Sequence, residues 1–292
     1  MSQPNNIEAQ TSPVALTIAG FDPSGGAGVI ADVRTFSAFG CFPTAALTSL
    51  TFQNTTGVTG VAHQTAEVVR AQVLPIIEDF RVASVKTGML PTREVISEVA
   101  RLLRETELHN VPAVVDPVLR STSGYDLMAD DALVALRKEL LPHARVVTPN
   151  IAEAERLTGL SDITDEAGMR EAARLLRRET GARAVLVKGG HLAGDALDLL
   201  DDAGTINVFR APRIETTATH GTGCTLAAAI AACLAHGLNL PDAVTAAKRF
   251  VTAAIRRAPQ LGRGHSPINH AVPVRFTRAG VLVADEIDGM ET

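Results

Sequence analysis

Tryptophan is absent from this 292-residue chain and tyrosine occurs once. Aromatic platforms on which nucleobases stack are therefore scarce. A basic stripe is missing too: 27 Lys and Arg stand against 32 Asp and Glu, for a net charge of -5. The short basic clusters, Arg174 with Arg177 and Arg178 and the Arg256-Arg257 pair, fall in helix-like sequence and read as solvated helix faces. Nucleic acid is not an expected partner. The three cysteines, Cys41, Cys224 and Cys233, are odd in number and match no zinc spacing. Reduced thiols in a cytoplasmic protein are the expectation. No apolar run is long enough for a membrane span. The opening SQPNNIEAQTSP lacks the basic-then-apolar order of a secretion signal and is expected to be a disordered tail over residues 1–13.

What remains is the composition of a globular protein, 46% hydrophobic and 20% charged. A chain of this length can bury a core without disulfides. From Val14 onward, short β-branched runs alternate with helical periodicity. VALTIAG, CFPTAALTSLTFQ, VASVKTGML, PAVVDPVL, ARVVTPN and RAVLVKGG read as strands. Helices are expected from about Val29 to Phe39, over TAEVVRAQVLPIIEDF, and from starts near Thr92, Asp130, Asn150 and Asp165. Strand and helix in alternation predict an α/β fold with a mostly parallel sheet covered on both faces. ALDLLDDAGTINVFRAP reads as a hairpin around Asp202-Ala203-Gly204. QNTTGVTGV, between Thr51 and Ala62, is expected to protrude as a small lid rather than continue the sheet. No linker divides the body, so one domain over residues 14–270 is expected. The extension 271–292 has no assigned role; FTRAGVLVAD fits an added strand or a loosely ordered end.

The segment TTATHGTGCTLAAAIAACLAHG is the most informative. Gly221 and Gly223 frame Thr222, and Cys224 opens a helix that is apolar all round and must be buried. Glycines allow a tight turn and close approach, and the unpaired N–H groups of a helix start attract anions. Phosphoryl transfer places its charge on phosphate oxygens, so an anion hole has a use here. Two readings stand for Cys224. The helix start can lower its pKa, making it the acceptor of a substrate hydroxyl proton, or it is a small packing residue. The need for a proton acceptor near the hydroxyl favours the first. Cys41 and Cys233 read as core.

AGFDPSGGAGVIADVRTF contains Gly26-Ala27-Gly28 followed by Ala31, a match to the dinucleotide fingerprint G-x-G-x-x-G/A. The acid that should follow about 20 residues on is missing, since none lies between Asp32 and Glu67. That counts against a nicotinamide oxidoreductase. Asp32, taken alone, reads as an exposed first-turn carboxylate favoured by the helix dipole. Asp116, Asn150, Glu153 and Lys188 follow strand runs, and ligands in open α/β sheets bind beyond strand carboxyl ends. Carboxylates suit Mg²⁺ and lysine suits phosphate. Asn150 and Glu153 equally fit a helix-capping pair. Four such residues at equivalent strand ends favour a site.

Taken together, AGFDPSGGAG, FQNTTGV, KTGML, VVDPV, TPNIAEAE, VKGGH, THGTGCTL and GRGHSPINH resemble, in order, the hydroxymethylpyrimidine/phosphomethylpyrimidine kinase family of the ribokinase-like superfamily. The resemblance runs from about Val14 to His270. It implies a ribokinase-like fold, a homodimer, and transfer of the ATP γ-phosphate to the pyrimidine's hydroxymethyl group and then to the resulting monophosphate. Gly20, Asp32, Gln53 and Met89 would then belong to the pyrimidine pocket, with Gln53 hydrogen-bonding the ring. Cys224 would lie beside the reacting hydroxyl, with Gly221, Thr222 and Gly223 in the anion hole. Asn150 and Lys188 would serve the nucleotide, and Asp116 and Glu153 the Mg²⁺. Related pyridoxal kinases often carry Asp in place of Cys224, so GTGC favours the pyrimidine branch. A catalytically silent nucleotide sensor is the reading against which the intact THGTGC argues.

Overall fold

The computed structural model describes residues 12–121, 124, 126–190, 192, 194–277 and 280–283. The expected N-terminal tail falls almost wholly outside them, as does the end of the chain from residue 284. The order of elements is β1 (Val14–Phe21), α1 (Gly28–Ala38), β2 (Phe42–Asn54), β3 (Gly57–His63), α2 (Ala66–Asp79), β4 (Val82–Thr87) and α3 (Arg93–Glu105). Then follow β5 (Ala113–Val115), α4 (Asp130–Ala135), β6 (Val146–Val147), α5 (Ile151–Thr158), α6 (Glu166–Thr180), β7 (Ala184–Gly189), β8 (Ala196–Asp202) and β9 (Thr205–Ala211). The chain closes with α7 (Thr222–Ala235), α8 (Leu240–Arg256), β10 (Val274–Thr277) and β11 (Gly280–Val283).

Nine strands form one sheet in the order β3-β2-β1-β4-β5-β6-β7-β8-β9. β2, β1, β4, β5, β6 and β7 run parallel, while β3, β8 and β9 join antiparallel at the edges. Successive strand residues face opposite sides, and the central strands divide accordingly. Val115, Val147, Val185 and Val187 pack with α2, α3, α4, α5 and α6. Val114, Val146, Ala184 and Leu186 pack with α1, α7 and α8 on the other face. Both faces are covered, which is why these runs are apolar throughout rather than alternating.

Local chemistry sets the ends of the elements. Thr92, Asn150 and Asp165 cap α3, α5 and α6 by accepting from the N3 backbone N–H. Gly159 and Gly181 close α5 and α6 in the left-handed conformation. The β8–β9 hairpin turns on Ala203 and Gly204, both with positive φ, as a two-residue loop requires.

One expectation is corrected. The segment from Thr51 to Ala62 continues the sheet: β3 pairs with β2 from Ser49↔His63 to Asn54↔Gly57. Its polar, glycine-rich composition reflects an exposed edge. Among the described residues, the C-terminal extension forms strands of its own rather than a loose end. β10 and β11 form a separate hairpin, with Val281 and Val283 buried and the Phe276 ring against Phe39 and His236.

Candidate active site

The site lies beyond the carboxyl ends of β1, β4, β5, β6 and β7. Two glycine loops meet there backbone to backbone. Gly221 caps α7 with φ +80°, and a Cβ there would lie 1.8 Å from the Gly26 carbonyl oxygen. Gly28 has φ +57°, and a Cβ there would lie 2.2 Å from the carbonyl of Gly20. No residue with a side chain fits either contact. The junction is pinned by His220, whose Nε2 lies 2.8 Å from Asp22 Oδ2. The same Asp22 oxygen accepts from Ala27 N at 2.9 Å, and its Oδ1 accepts from Ser24 N at 2.8 Å and Ser24 Oγ at 2.7 Å. Burial works to raise the Asp22 carboxyl, but the hydrogen bonds from His220 and Ser24 hold it below the usual carboxylate range.

α7 therefore begins at a fixed place, and its residues Thr225–Cys233 are buried. The first N–H groups of the helix have no intrahelical acceptors. The Gly28 N–H works to lower the Cys224 thiol. Cys224 keeps part of its surface open to the cavity, yet enclosure by the protein pushes its thiol up to about 11 against the pull of Lys86. This reverses the expectation that the helix start lowers the thiol pKa. Loss of water outweighs the favourable N–H groups.

Lys188 Nζ sits 3.0 Å from Asp116 Oδ1, which also accepts from Thr148 Oγ1 at 3.1 Å. Gly223 leaves room for that ammonium: a Cβ there would lie 3.2 Å from Lys188 Nζ and 3.9 Å from Asp116 Oδ2. The anion-attracting helix start, the lysine and the aspartate thus converge. Burial would pull Lys188 down, but Asp116 and Glu153 hold it above the usual lysine value. Asn150 and Glu153 form a reciprocal capping pair, Asn150 N to Glu153 Oε2 at 2.8 Å and Glu153 N to Asn150 Oδ1 at 2.9 Å. Burial pushes the Glu153 carboxyl up to about 7, against the pull of Lys188.

These groups line one cavity of about 730 Å³, which eleven of the twelve residues singled out from the sequence share. Gly20 and Met89 lie at one end, with 3.1 Å between a Cβ at residue 20 and Met89 Sδ. Gln53 reaches the cavity from β2 just after a break in the β2–β3 register. Among the described residues its side chain has no hydrogen-bond partner. Asp32 is the exception. It is fully buried behind the wall, 2.8 Å from Lys86 Nζ, with Thr17 Oγ1 at 2.6 Å. The exposed first-turn reading of Asp32 is overturned, and a direct place in the pyrimidine pocket does not fit this position. It meets the cavity through Lys86, which lines it.

The family model described as phosphomethylpyrimidine kinase matches residues 22–269. The chain belongs to this family. It is 50% identical over 260 residues to the hydroxymethylpyrimidine/phosphomethylpyrimidine kinase of Rhizobium meliloti, covering 88% of this chain and 96% of that one. It is 48% identical over 264 residues to the thiamine biosynthesis bifunctional protein ThiED of Geobacter sulfurreducens, covering 90% of this chain and 53% of that longer protein. Among solved structures, an ADP complex of Bacillus subtilis pyridoxal kinase superposes with a TM-score of 0.81 at 37% identity, over 89% of this chain and 98% of that one. The fold is ribokinase-like.

Sequence reasoning passed over three residues that line this cavity. Asp22 carries a local signal, since Asp followed by Pro and Ser favours the turn in which Ser24 N bonds its side chain. Lys86 is a charge inside an otherwise apolar strand run. His220 stands beside the first glycine of the α7 loop, but its partner Asp22 is too distant in the chain to be read.

Proposed function

We propose that this chain transfers the γ-phosphoryl group of ATP to 4-amino-5-hydroxymethyl-2-methylpyrimidine, and then to the resulting monophosphate, in thiamine biosynthesis. One observation carries the reading. The start of α7, with Cys224, lies in a single cavity between an end lined by Gly20, Gln53 and Met89 and an end holding Asp116, Glu153 and Lys188. The first end takes the acceptor ring, with the Gln53 amide positioned to hydrogen-bond it. The second takes the triphosphate, with Lys188 as a point charge on its oxygens.

In the transfer, the acceptor oxygen forms a bond to the γ-phosphorus as the bond to the β-bridging oxygen breaks, ADP leaves, and the hydroxyl of the first acceptor releases its proton to water. Charge on the moving phosphoryl group is met by the N–H groups of Gly223 and Cys224 and by Lys188. Asp116 and Glu153 offer hard oxygens, and burial disfavours the charged form of Glu153. Such a pair fits a Mg²⁺ that keeps waters and phosphate oxygens as its other ligands. The ion would neutralise triphosphate charge. Among the described residues no group of three or more His, Cys, Asp or Glu is placed to hold a metal by itself, in keeping with an ion that arrives with the nucleotide.

We read the chain as a cytoplasmic homodimer. Leu50 and Phe52 expose apolar surface on β2, 38% and 55% respectively, which a second copy would cover. Among the described residues no helix is long and apolar enough to cross a membrane. The likeness to a pyridoxal kinase supports pyridoxal as the competing acceptor. An ADP-release assay with hydroxymethylpyrimidine, its monophosphate and pyridoxal decides between them. Turnover of both pyrimidines is expected, and efficient use of pyridoxal with neither pyrimidine would overturn the acceptor assignment.

A further inference from the structure

β2 outruns its neighbour. Its pairing with β1 ends at Phe21↔Leu50, and Thr51 Oγ1 makes the last tie by donating to the Phe21 carbonyl at 2.9 Å. From Phe52 to the hairpin turn, β2 has β3 on one side and, among the described residues, no strand on the other. Gln53 lies within this unsupported stretch and lines the cavity. A side chain that reads a ligand needs a fixed backbone beneath it.

The support comes from a segment more than two hundred residues away, part of the GRGHSPINH motif. Three consecutive N–H groups converge on Thr55 at the hairpin tip. Arg263 N and Gly264 N donate to Thr55 Oγ1 at 3.2 and 3.3 Å, and His265 N donates to the Thr55 carbonyl at 2.8 Å. Successive N–H groups of this kind form a concavity that accepts a negative atom. Here the threonine oxygens fill it. Glycine is required for the approach: a Cβ at residue 262 would lie 2.3 Å from Thr55 Oγ1, and one at residue 264 would lie 2.1 Å from Thr55 O. The other side of the same loop meets the anion-hole junction. His220 N donates to Ser266 O at 3.3 Å, and a Cβ at Gly26 would lie 3.1 Å from Pro267 Cβ.

We propose that the 262–267 loop is a clamp that holds the β2–β3 tip to the anion-hole junction, and that Thr55 is a positioning residue for the acceptor, acting through Gln53. The acceptor role rests on the kinase reading above. The clamp sets the distance between the group that reads the acceptor ring and the helix start where transfer occurs. The glycines of GRGHSPINH are then explained by recognition of Thr55 rather than of a ligand.

The test compares Thr55→Val, which keeps the shape and removes the oxygen accepting two N–H groups, with Thr55→Ser, which keeps that oxygen. Amide hydrogen exchange at residues 53–57 and 263–265 should quicken in Thr55→Val and stay near wild type in Thr55→Ser. With whichever acceptor the wild-type chain turns over, Thr55→Val should raise the acceptor KM roughly three- to tenfold, the range for one or two lost hydrogen bonds. The KM for ATP should stay within about twofold, and Thr55→Ser should restore the acceptor value. Gly264→Ala, which intrudes on the same contact, should show the same split. Unchanged exchange at the hairpin tip overturns the clamp. Faster exchange with both KM values unchanged, or raised together, overturns the positioning role. A wild-type chain inert toward the pyrimidines but active on pyridoxal overturns only the acceptor assignment, because exchange and the KM split are then read with pyridoxal.

Discussion

Two lysine–aspartate pairs sit in this cavity wall, and they differ in access rather than in geometry. Lys86 Nζ lies 2.8 Å from Asp32, with both side chains at 0% exposure. Lys188 Nζ lies 3.0 Å from Asp116, at 13% and 3%. In each pair one carboxylate oxygen takes the lysine and a threonine hydroxyl, Thr17 in the first and Thr148 in the second. The second oxygens part ways. Asp32 Oδ1 is buried with no hydrogen-bond partner, whereas Asp116 Oδ2 faces the start of α7. Two charges withdrawn from water gain little over an apolar packing of the same shape. Burial alone would pull Lys86 down, but Asp32, with Asp116 beyond it, holds it above the usual lysine value. The first pair is therefore a fixed part of the wall, and the second can trade partners with a ligand. Distance describes a pair; access decides what it does.

That contrast can be broken by substitution. Lys86→Met should cost about 3–5 kcal/mol of stability in urea unfolding, because it leaves the Asp32 carboxylate buried and uncompensated. Adding Asp32→Asn should recover part of the loss. A Lys86→Met chain of normal stability that no longer turns over would move Lys86 from wall to ligand contact. Lys188→Ala should lower turnover roughly 10²–10³-fold, as for loss of one donor to transition-state charge, with weaker ATP binding by calorimetry and acceptor binding near normal. Unchanged ATP affinity together with unchanged rate would remove Lys188 from the nucleotide side.

Cys224, whose thiol burial raises against the pull of Lys86, sharpens the comparison with the smallest effect. A thiol pushed up to about 11 stays protonated at neutral pH. Its alkylation by iodoacetamide should be slow near pH 7 and accelerate as pH rises toward 11. Cys224→Ser should then cost less than about tenfold in turnover, well short of the 10²–10⁴ of general-base assistance. A 10²-fold loss, with an ionisation that vanishes from the pH–rate profile in the serine variant, would restore the thiolate as proton acceptor.

The fold was legible where the chain announces itself locally. Apolar runs marked the buried strands, and Thr92, Asn150 and Asp165 marked the helix starts they cap. The strand ends marked Asp116, Asn150 and Lys188. Illegible were the pairings made across the fold. Asp32 has the sequence context of a surface helix residue, and only Lys86, 54 positions on, makes its burial tolerable. The segment 57–63, GVTGVAH, carries two glycines in seven residues, which fits a loop as well as an edge strand. Periodicity reports which side of an element is buried, not what it is buried against. The C-terminal hairpin was likewise hidden, because four-residue strands carry too little pattern to assign.

The 262–267 loop and the junction of the two glycine loops also have a temporal meaning. His220 finds Asp22 across 198 residues, and Gly264 finds Thr55 across 209. At ribosomal rates of about 5–20 residues per second, the hairpin tip emerges on the order of ten to forty seconds before the loop that will hold it. Through that interval β2 presents Leu50 and Phe52 without the tether that fixes its tip. Contacts so distant in the chain also slow the search for the native state. The nascent chain thus acquires this arrangement only after the 262–267 loop has been made.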